Sequence, residues 1–334
     1  MALLGPVSGN QINGVGETQP RRPQQVFWAR NPDDIAHGPL LRAVVGRFNT
    51  PPVLREVYEK ADRGPRSLAA TAAATAATTA AAAEPPSTDA HALTDRVKAF
   101  VLNRPGARPE NTPGAGSEAD RVGIAATREE WVFQGHKPAL PMVIVMGLVM
   151  DHDRLSDVST DPEQPTSALE VAEQYNRGAR VANHTAQWIR QQGYQARAHA
   201  GPWVGSLNLL PAAMAAGFGE LGKHGSLISR EHGSSFRLAA VETDMPLLAD
   251  APDSFGADDF CTRCRVCTDA CPPQALSNEK TWVRGQWKWW VDFDKCMPYF
   301  NETYGCGICI AVCPWSTPGR APKLAQTWAR RRDG

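Results

Sequence analysis

The chain has 334 residues, 35 basic and 35 acidic side chains and 42% hydrophobic content, enough for two small domains or one large domain with an appendage. A zero net charge gives no long-range pull toward nucleic acid or an anionic membrane, so nucleic-acid binding is not expected. The longest apolar run, Met142 to Met150, falls well short of the roughly 20 residues that a membrane-spanning helix needs.

In chain order, residues 1 to about 52 are rich in Gly, Pro, Asn and Gln and read as an extended arm or loosely packed strap. Arg21-Arg22 is followed by Pro23, and Arg30, Asp33 and Asp34 break any apolar stretch, so an export signal is not expected and the chain reads as cytoplasmic. The Ala/Thr tract from Ser67 to Ala83 has no apolar stripe to pack and reads as an insertion. Helical spacing begins at Leu93, Val97, Phe100 and Val101 behind a Thr88 or Asp89 cap. A Pro/Gly/Asn loop follows from Arg104 to Gly116.

Arg121–Ala125 and Pro141–Met150 read as buried strands of a sheet covered on both faces. A helix is predicted from about Ser167 to Gln192, opened by a Ser167/Glu170 capping box and closed by Gly193. Its stripe is Ala172, Tyr175, Ala179, Ala182, Ala186 and Ile189, with Tyr175 facing inward. Strands are predicted at Tyr194–Ala198 and Leu238–Val241, with a helix over Leu209–Ala216 between them. This order defines a layered α+β or α/β core over 119–250. It leaves an N-terminal arm over 1–118, a cysteine-bearing module over 251–318 and a C-terminal tail over 319–334, whose basic run Arg330-Arg331-Arg332 reads as a solvated end.

All eight cysteines lie between Cys261 and Cys313, and in a reducing compartment clustered cysteines are more often metal ligands than disulfides. Cys261-x2-Cys264-x2-Cys267-x3-Cys271-Pro272 has the bacterial ferredoxin spacing, in which the fourth thiolate crosses to the other cluster. A second run, Cys296-x9-Cys306-x2-Cys309-x3-Cys313-Pro314, repeats it with a longer first interval. The spacing therefore assigns one [4Fe–4S] cluster to Cys261, Cys264, Cys267 and Cys313, and another to Cys296, Cys306, Cys309 and Cys271. Zinc sites pair cysteines two apart with a distant second pair, a poorer match. The indole-rich stretch Trp282–Trp290 either roofs a cofactor cavity or packs around the clusters.

The ordered series of Met142–Met150, Glu173-Gln-Tyr175, Trp188–Tyr194, Ala216–Gly225, Arg237–Leu247, the two cysteine runs and Val291–Cys296 resembles the cobalamin-dependent reductive dehalogenases and the related epoxyqueuosine reductases. The resemblance spans roughly residues 119–316. It implies a nitroreductase-like α/β core binding base-off cobalamin, joined to a ferredoxin-like module with two [4Fe–4S] clusters. Gly217, Gly219, Gly222, Lys223 and Gly225 would then approach the corrin, although a helix stop and tight turn explain the glycines as well. By motif position, Tyr175 falls where the dehalogenases place their proton donor and Arg237 where a basic residue stabilises the phenolate. The implied reaction is reduction of a small molecule such as an organohalide, with electrons from a ferredoxin, flavodoxin or reductase.

Epoxyqueuosine reductases carry a catalytic aspartate just after the strand that here ends at His199, where this chain has no acid. His199 is therefore a third candidate catalytic residue, able to line the cavity, donate a proton or simply pack. Two alternatives stand beside the dehalogenase reading: an epoxyqueuosine-reductase-like enzyme acting on a modified nucleoside, and a non-catalytic electron carrier.

Overall fold

A computed structural model describes residues 8–26, 89–103, 119–137, 140–161, 163–199 and 205–333. The Ala/Thr tract and the loop expected at 104–116 lie outside the described residues. The core strands are β1 (Arg121–Ala126), β2 (Met142–Val149) and β3 (Ala196–His199). A short hairpin follows, β4 (Glu220–Leu221) with β5 (Leu227–Ile228), and then β6 (Phe236–Thr243). The sheet order is β1-β2-β6-β3 and every neighbour is antiparallel, so the architecture is mixed α+β.

Both faces of this sheet are covered, and that is why β2 reads as an unbroken apolar run. On one face, helix Ala90–Leu102 contributes Leu93, Val97 and Val101. Helix Thr166–Gln191 contributes Val181, Ala182, Ala186 and Ile189 against Ile144, Met146, Ala239 and Val241. On the other face, helix Leu209–Ala215, Trp131 and Phe218 pack on Val143, Val145 and Ala240. Each fully buried Val, Leu or Ile contributes about 1.5–3 kcal/mol. Asp89 caps helix Ala90–Leu102 by accepting from the His91 and Ala92 amides, so the core's packing begins well before residue 119.

Two local expectations need correction. The long helix starts one residue early, at Thr166, and its N-cap Pro165 makes no side-chain cap bond. The predicted capping box is absent because Glu170 is used elsewhere: it accepts from the Asp151 amide at 2.8 Å and pairs with Arg154 at 2.6 Å. In the segment expected as a C-terminal tail, Arg330 and Arg331 are exposed, as expected of a solvated end. Ala321–Asp333 forms a helix whose Ala321, Ala325, Leu324 and Trp328 pack against the cysteine module.

That module comprises helices Ala257–Arg263 and Val266–Asp269, hairpin β7 (Thr281–Val283) with β8 (Gln286–Lys288), and helices Phe293–Glu302 and Ile308–Ala311. Residues 8–26 strap it to the core. Asn10 donates to Asp292 at 2.8 Å and the Gly9 amide to Asp294 at 2.6 Å. Arg22 donates to the Val132 carbonyl at 2.9 Å, while Gln134 donates back to Pro23 at 2.8 Å. Ile12 and Val26 join Ala168, Ala172, Met297 and Tyr304 in one apolar cluster. Among the described residues no helix is long and apolar enough to cross a membrane.

Candidate cluster centre and adjoining active site

The eight thiols are free of disulfides and fall into two interleaved sets. Burial pushes Cys313 up to about 12, and the charges adding to that effect are those of Cys267 and Cys264 in the other run. Cys261 is likewise raised to about 12 by burial, with Cys313, Cys267 and Cys264 adding to it. Conversely, Cys296 is raised to about 12 by burial together with Cys306, Cys271 and Asp292. Cys309 is raised well above its ordinary value by burial and by Cys306, Cys296, Cys267 and Cys271. These groupings are the ones the spacing assigns, and Cys309 is the ligand that also senses the opposite set, through Cys267.

Thiols raised this far stay protonated at neutral pH unless a cation is bound among them, and thiolate ligation to iron supplies that charge. No three His, Cys, Asp or Glu side chains among the described residues close around a single-ion position. Eight cysteines in two runs of ferredoxin type are the donor set that two [4Fe–4S] clusters require.

The second cluster's surroundings lead directly into the core. Cys309 and Tyr175 are partly buried against the same apolar cluster, formed by Met150, Leu155, Val171, Ile310 and Ala311. Arg237, reaching from β6, lies over the Tyr175 ring with its guanidinium carbon 5.5 Å from the centroid. Its Nε is buried without a hydrogen-bond partner, as is the nearby Ser235 Oγ. The two residues singled out as proton donor and cationic partner are thus brought together beside a cluster ligand.

His199 lies on the opposite face of the sheet from this pair. Its Nε2 is 2.8 Å from Glu242 Oε2, both side chains are buried, and Arg197 binds the same oxygen from Nε at 2.8 Å. Arg197 also donates to Ser206 at 2.7 Å. Burial works to raise the Glu242 carboxyl, but the hydrogen bonds and charges of His199 and Arg197 outweigh it and hold the carboxyl below its ordinary value. Sequence reasoning missed Glu242; the signal available was an acid closing the otherwise apolar run Leu238–Val241.

The glycine-rich segment forms the β4–β5 hairpin. Gly219 has φ +130°, and a Cβ there would stand 2.0 Å from the Ile228 carbonyl oxygen, so the turn itself requires glycine. A Cβ on Gly217 would meet the Ala251 carbonyl, on Gly222 the His224 ring, and on Gly225 the Val291 side chain. Lys223 is turned toward the first cluster. Its amide donates to Cys261 Sγ at 3.5 Å and its Nζ to the Cys264 carbonyl at 2.6 Å. Of the indoles, Trp289 packs in the apolar cluster that contains Cys261 and Cys313, while Trp282 and Trp287 meet edge to face and are exposed.

Two interleaved sets of four cysteines on a compact helical module define a dicluster iron–sulfur protein, and residues 260–317 match the 4Fe-4S dicluster domain family. Over a longer stretch the chain is similar to reductive dehalogenases and, over a shorter one, to epoxyqueuosine reductases. It is 35% identical over 223 residues to the tetrachloroethene reductive dehalogenase of Desulfitobacterium hafniense, covering 62% of this chain and 38% of that one. It is 34% identical over 125 residues to the epoxyqueuosine reductase of Leadbetterella byssophila, covering 32% of this chain and 37% of that one. A solved reductive dehalogenase, whose structure suggests a mechanism for B12-dependent dehalogenation, superposes with a TM-score of 0.55 at 27% identity, covering 64% of this chain and 34% of that one. The chain spans 38% of the length of the curated dehalogenase that it matches.

Proposed function

We propose that the chain is a cobalamin- and iron–sulfur-dependent reductase of the reductive-dehalogenase type, acting on a small organohalide. The observation that carries this reading is the sharing of one apolar cluster by Tyr175 and the ligand Cys309. An electron leaving the second cluster emerges where a phenol and a guanidinium are already stacked.

The residues at this place suit cobalamin in their chemistry. Arg237 Nε and Ser235 Oγ are buried donors without partners, and with Tyr175 they would hold polar groups of the cofactor. Bound there, cobalamin would supply the low-potential two-electron reductant that carbon–halogen cleavage requires. Tyr175 supplies the proton as general acid. Arg237, which forms no ion pair with a carboxylate among the described residues, stabilises the phenolate left behind. The overall conversion takes two electrons and one proton, breaks the carbon–halogen bond, forms a carbon–hydrogen bond and releases halide. The electrons come from a ferredoxin, a flavodoxin or a reductase.

Anaerobic reconstitution tests this reading. The expected results are cobalamin uptake in the base-off form by electron paramagnetic resonance and halide release from tetrachloroethene or halogenated phenols. Full cluster loading without cobalamin affinity or halide release would overturn it and leave an electron carrier.

A further inference from the structure

Lys223 is 1% exposed. Its Nζ donates to the Cys264 carbonyl at 2.6 Å and to Asn278 Oδ1 at 3.2 Å, and stands 5.0 Å from the centroid of the Trp289 ring. All three partners are formally neutral, and among the described residues no carboxylate pairs with the buried ammonium. The contrast lies beside the same indole. Lys280 Nζ is 5.2 Å from the Trp289 centroid but is paired with Asp258 at 2.6 Å, and Asp258 also accepts from Trp289 Nε1 at 2.7 Å.

A buried charge without a partner costs several kcal/mol and is retained where something of opposite sign offsets it. The opposite sign here is the first cluster. With four thiolate ligands a [4Fe–4S] centre is a net anion in both redox states, and it gains one more negative charge on reduction. Lys223 approaches that centre twice, by its amide to Cys261 Sγ and by its ammonium to the Cys264 carbonyl.

We infer that Lys223 is the built-in counter-charge of the Cys261/Cys264/Cys267/Cys313 cluster and raises its reduction potential. One-electron reduction makes and breaks no bond and moves no proton; it places a further negative charge beside a fixed cation in a low-dielectric site, where the attraction is strong. Lys223 thus acts through the cluster and not on the substrate. The inference rests on the dicluster assignment alone and is independent of the substrate.

The test is a potentiometric titration of the full, anaerobically reconstituted chain followed by electron paramagnetic resonance, with Cys296→Ser identifying the second cluster's signal. Lys223→Met should move the first cluster to a more negative potential and leave the second in place, and Lys223→Arg should stay near wild type. Both clusters loaded with neither potential moved, or with only the second moved, would overturn the assignment. If neither Lys223→Met nor Lys223→Gln loads the first cluster while Lys223→Arg does, the charge is required and the counter-charge role stands. If Lys223→Arg also fails to load it, the role is packing and the inference is wrong. A wild-type chain that binds no clusters would instead refute the dicluster reading itself.

Discussion

Arg237 lies across the ring face of Tyr175, 5.5 Å from its centroid, and so joins the start of β6 to the third turn of the long helix. Stacking of this kind contributes about 0.5–2 kcal/mol, and it fixes a phenol beside a cation that has no competing carboxylate among the described residues. The same ring touches the apolar cluster that includes Cys309. Tyr175, Arg237 and Cys309 therefore meet around one apolar cluster at the junction of core and cysteine module.

Tyr175→Phe separates the acid from the stack, because the ring and its packing remain. Turnover of an organohalide should fall by roughly 10²–10⁴-fold, the range for loss of a general acid, with iron content and melting temperature near wild type. Arg237→Met should reduce turnover and also lower the melting temperature, since it removes the stack itself. Full activity in Tyr175→Phe would exclude this tyrosine as proton donor.

The crossing of ligands between the two cysteine runs gives a second prediction. Cys313→Ala and Cys261→Ala should each remove the first cluster and leave the same residual spectrum, although the two residues belong to different runs. Cys271→Ala and Cys296→Ala should both leave the other spectrum. Each variant should retain about half of the wild-type iron, as ferredoxin-type ligation requires. If Cys313→Ala instead matched Cys306→Ala, the interleaving would be wrong.

Much of this arrangement was legible in the sequence because its causes are local. Cysteine spacing dictates which thiolates can wrap one cubane, and two-sided burial writes β2 as a continuous apolar run. The Ala172 to Ile189 stripe places Tyr175 on the inward side of its helix. What escaped depends on partners distant in sequence. Ser167 and Glu170 have capping-box spacing, yet Glu170 is claimed by the Asp151 amide and Arg154, a contact no local pattern announces. Lys223 sits in a glycine-rich segment that resembles a ligand cradle, and only the fold turns it toward Cys261 and Cys264. Glu242 is one residue in a strand until β3 pairs Arg197 opposite it.

Gly219 offers a test of the hairpin that carries Lys223. At φ +130°, with the Ile228 carbonyl 2.0 Å from where a Cβ would lie, alanine must both strain its backbone and displace main chain. Such strain alone costs about 1–3 kcal/mol. Gly135 also has positive φ but open space around it. Gly219→Ala should therefore lower the melting temperature by clearly more than Gly135→Ala in parallel thermal scans, and equal shifts would show that the close approach carries no weight.

The Glu242 network gives stability a defined dependence on acid. Burial works to raise this carboxyl, but its hydrogen bond to His199 and the charges of His199 and Arg197 prevail, so the folded-state value lies below the ordinary 4.5. The unfolded chain then takes up its proton first as pH falls. The stabilisation from the ionised carboxylate is complete above about 4.5 and is lost as pH drops through the lower folded-state value. Glu242→Gln should cost about 3 kcal/mol at neutral pH, because Arg197 loses its buried counter-charge and the hydrogen-bonded network with His199 is broken. It should also flatten the fall in melting temperature through the acid window, since the titrating group is gone. Thermal unfolding of both proteins from neutral pH down through the carboxylate range reads both effects. A variant that kept the wild-type acid slope would show that another carboxylate governs it.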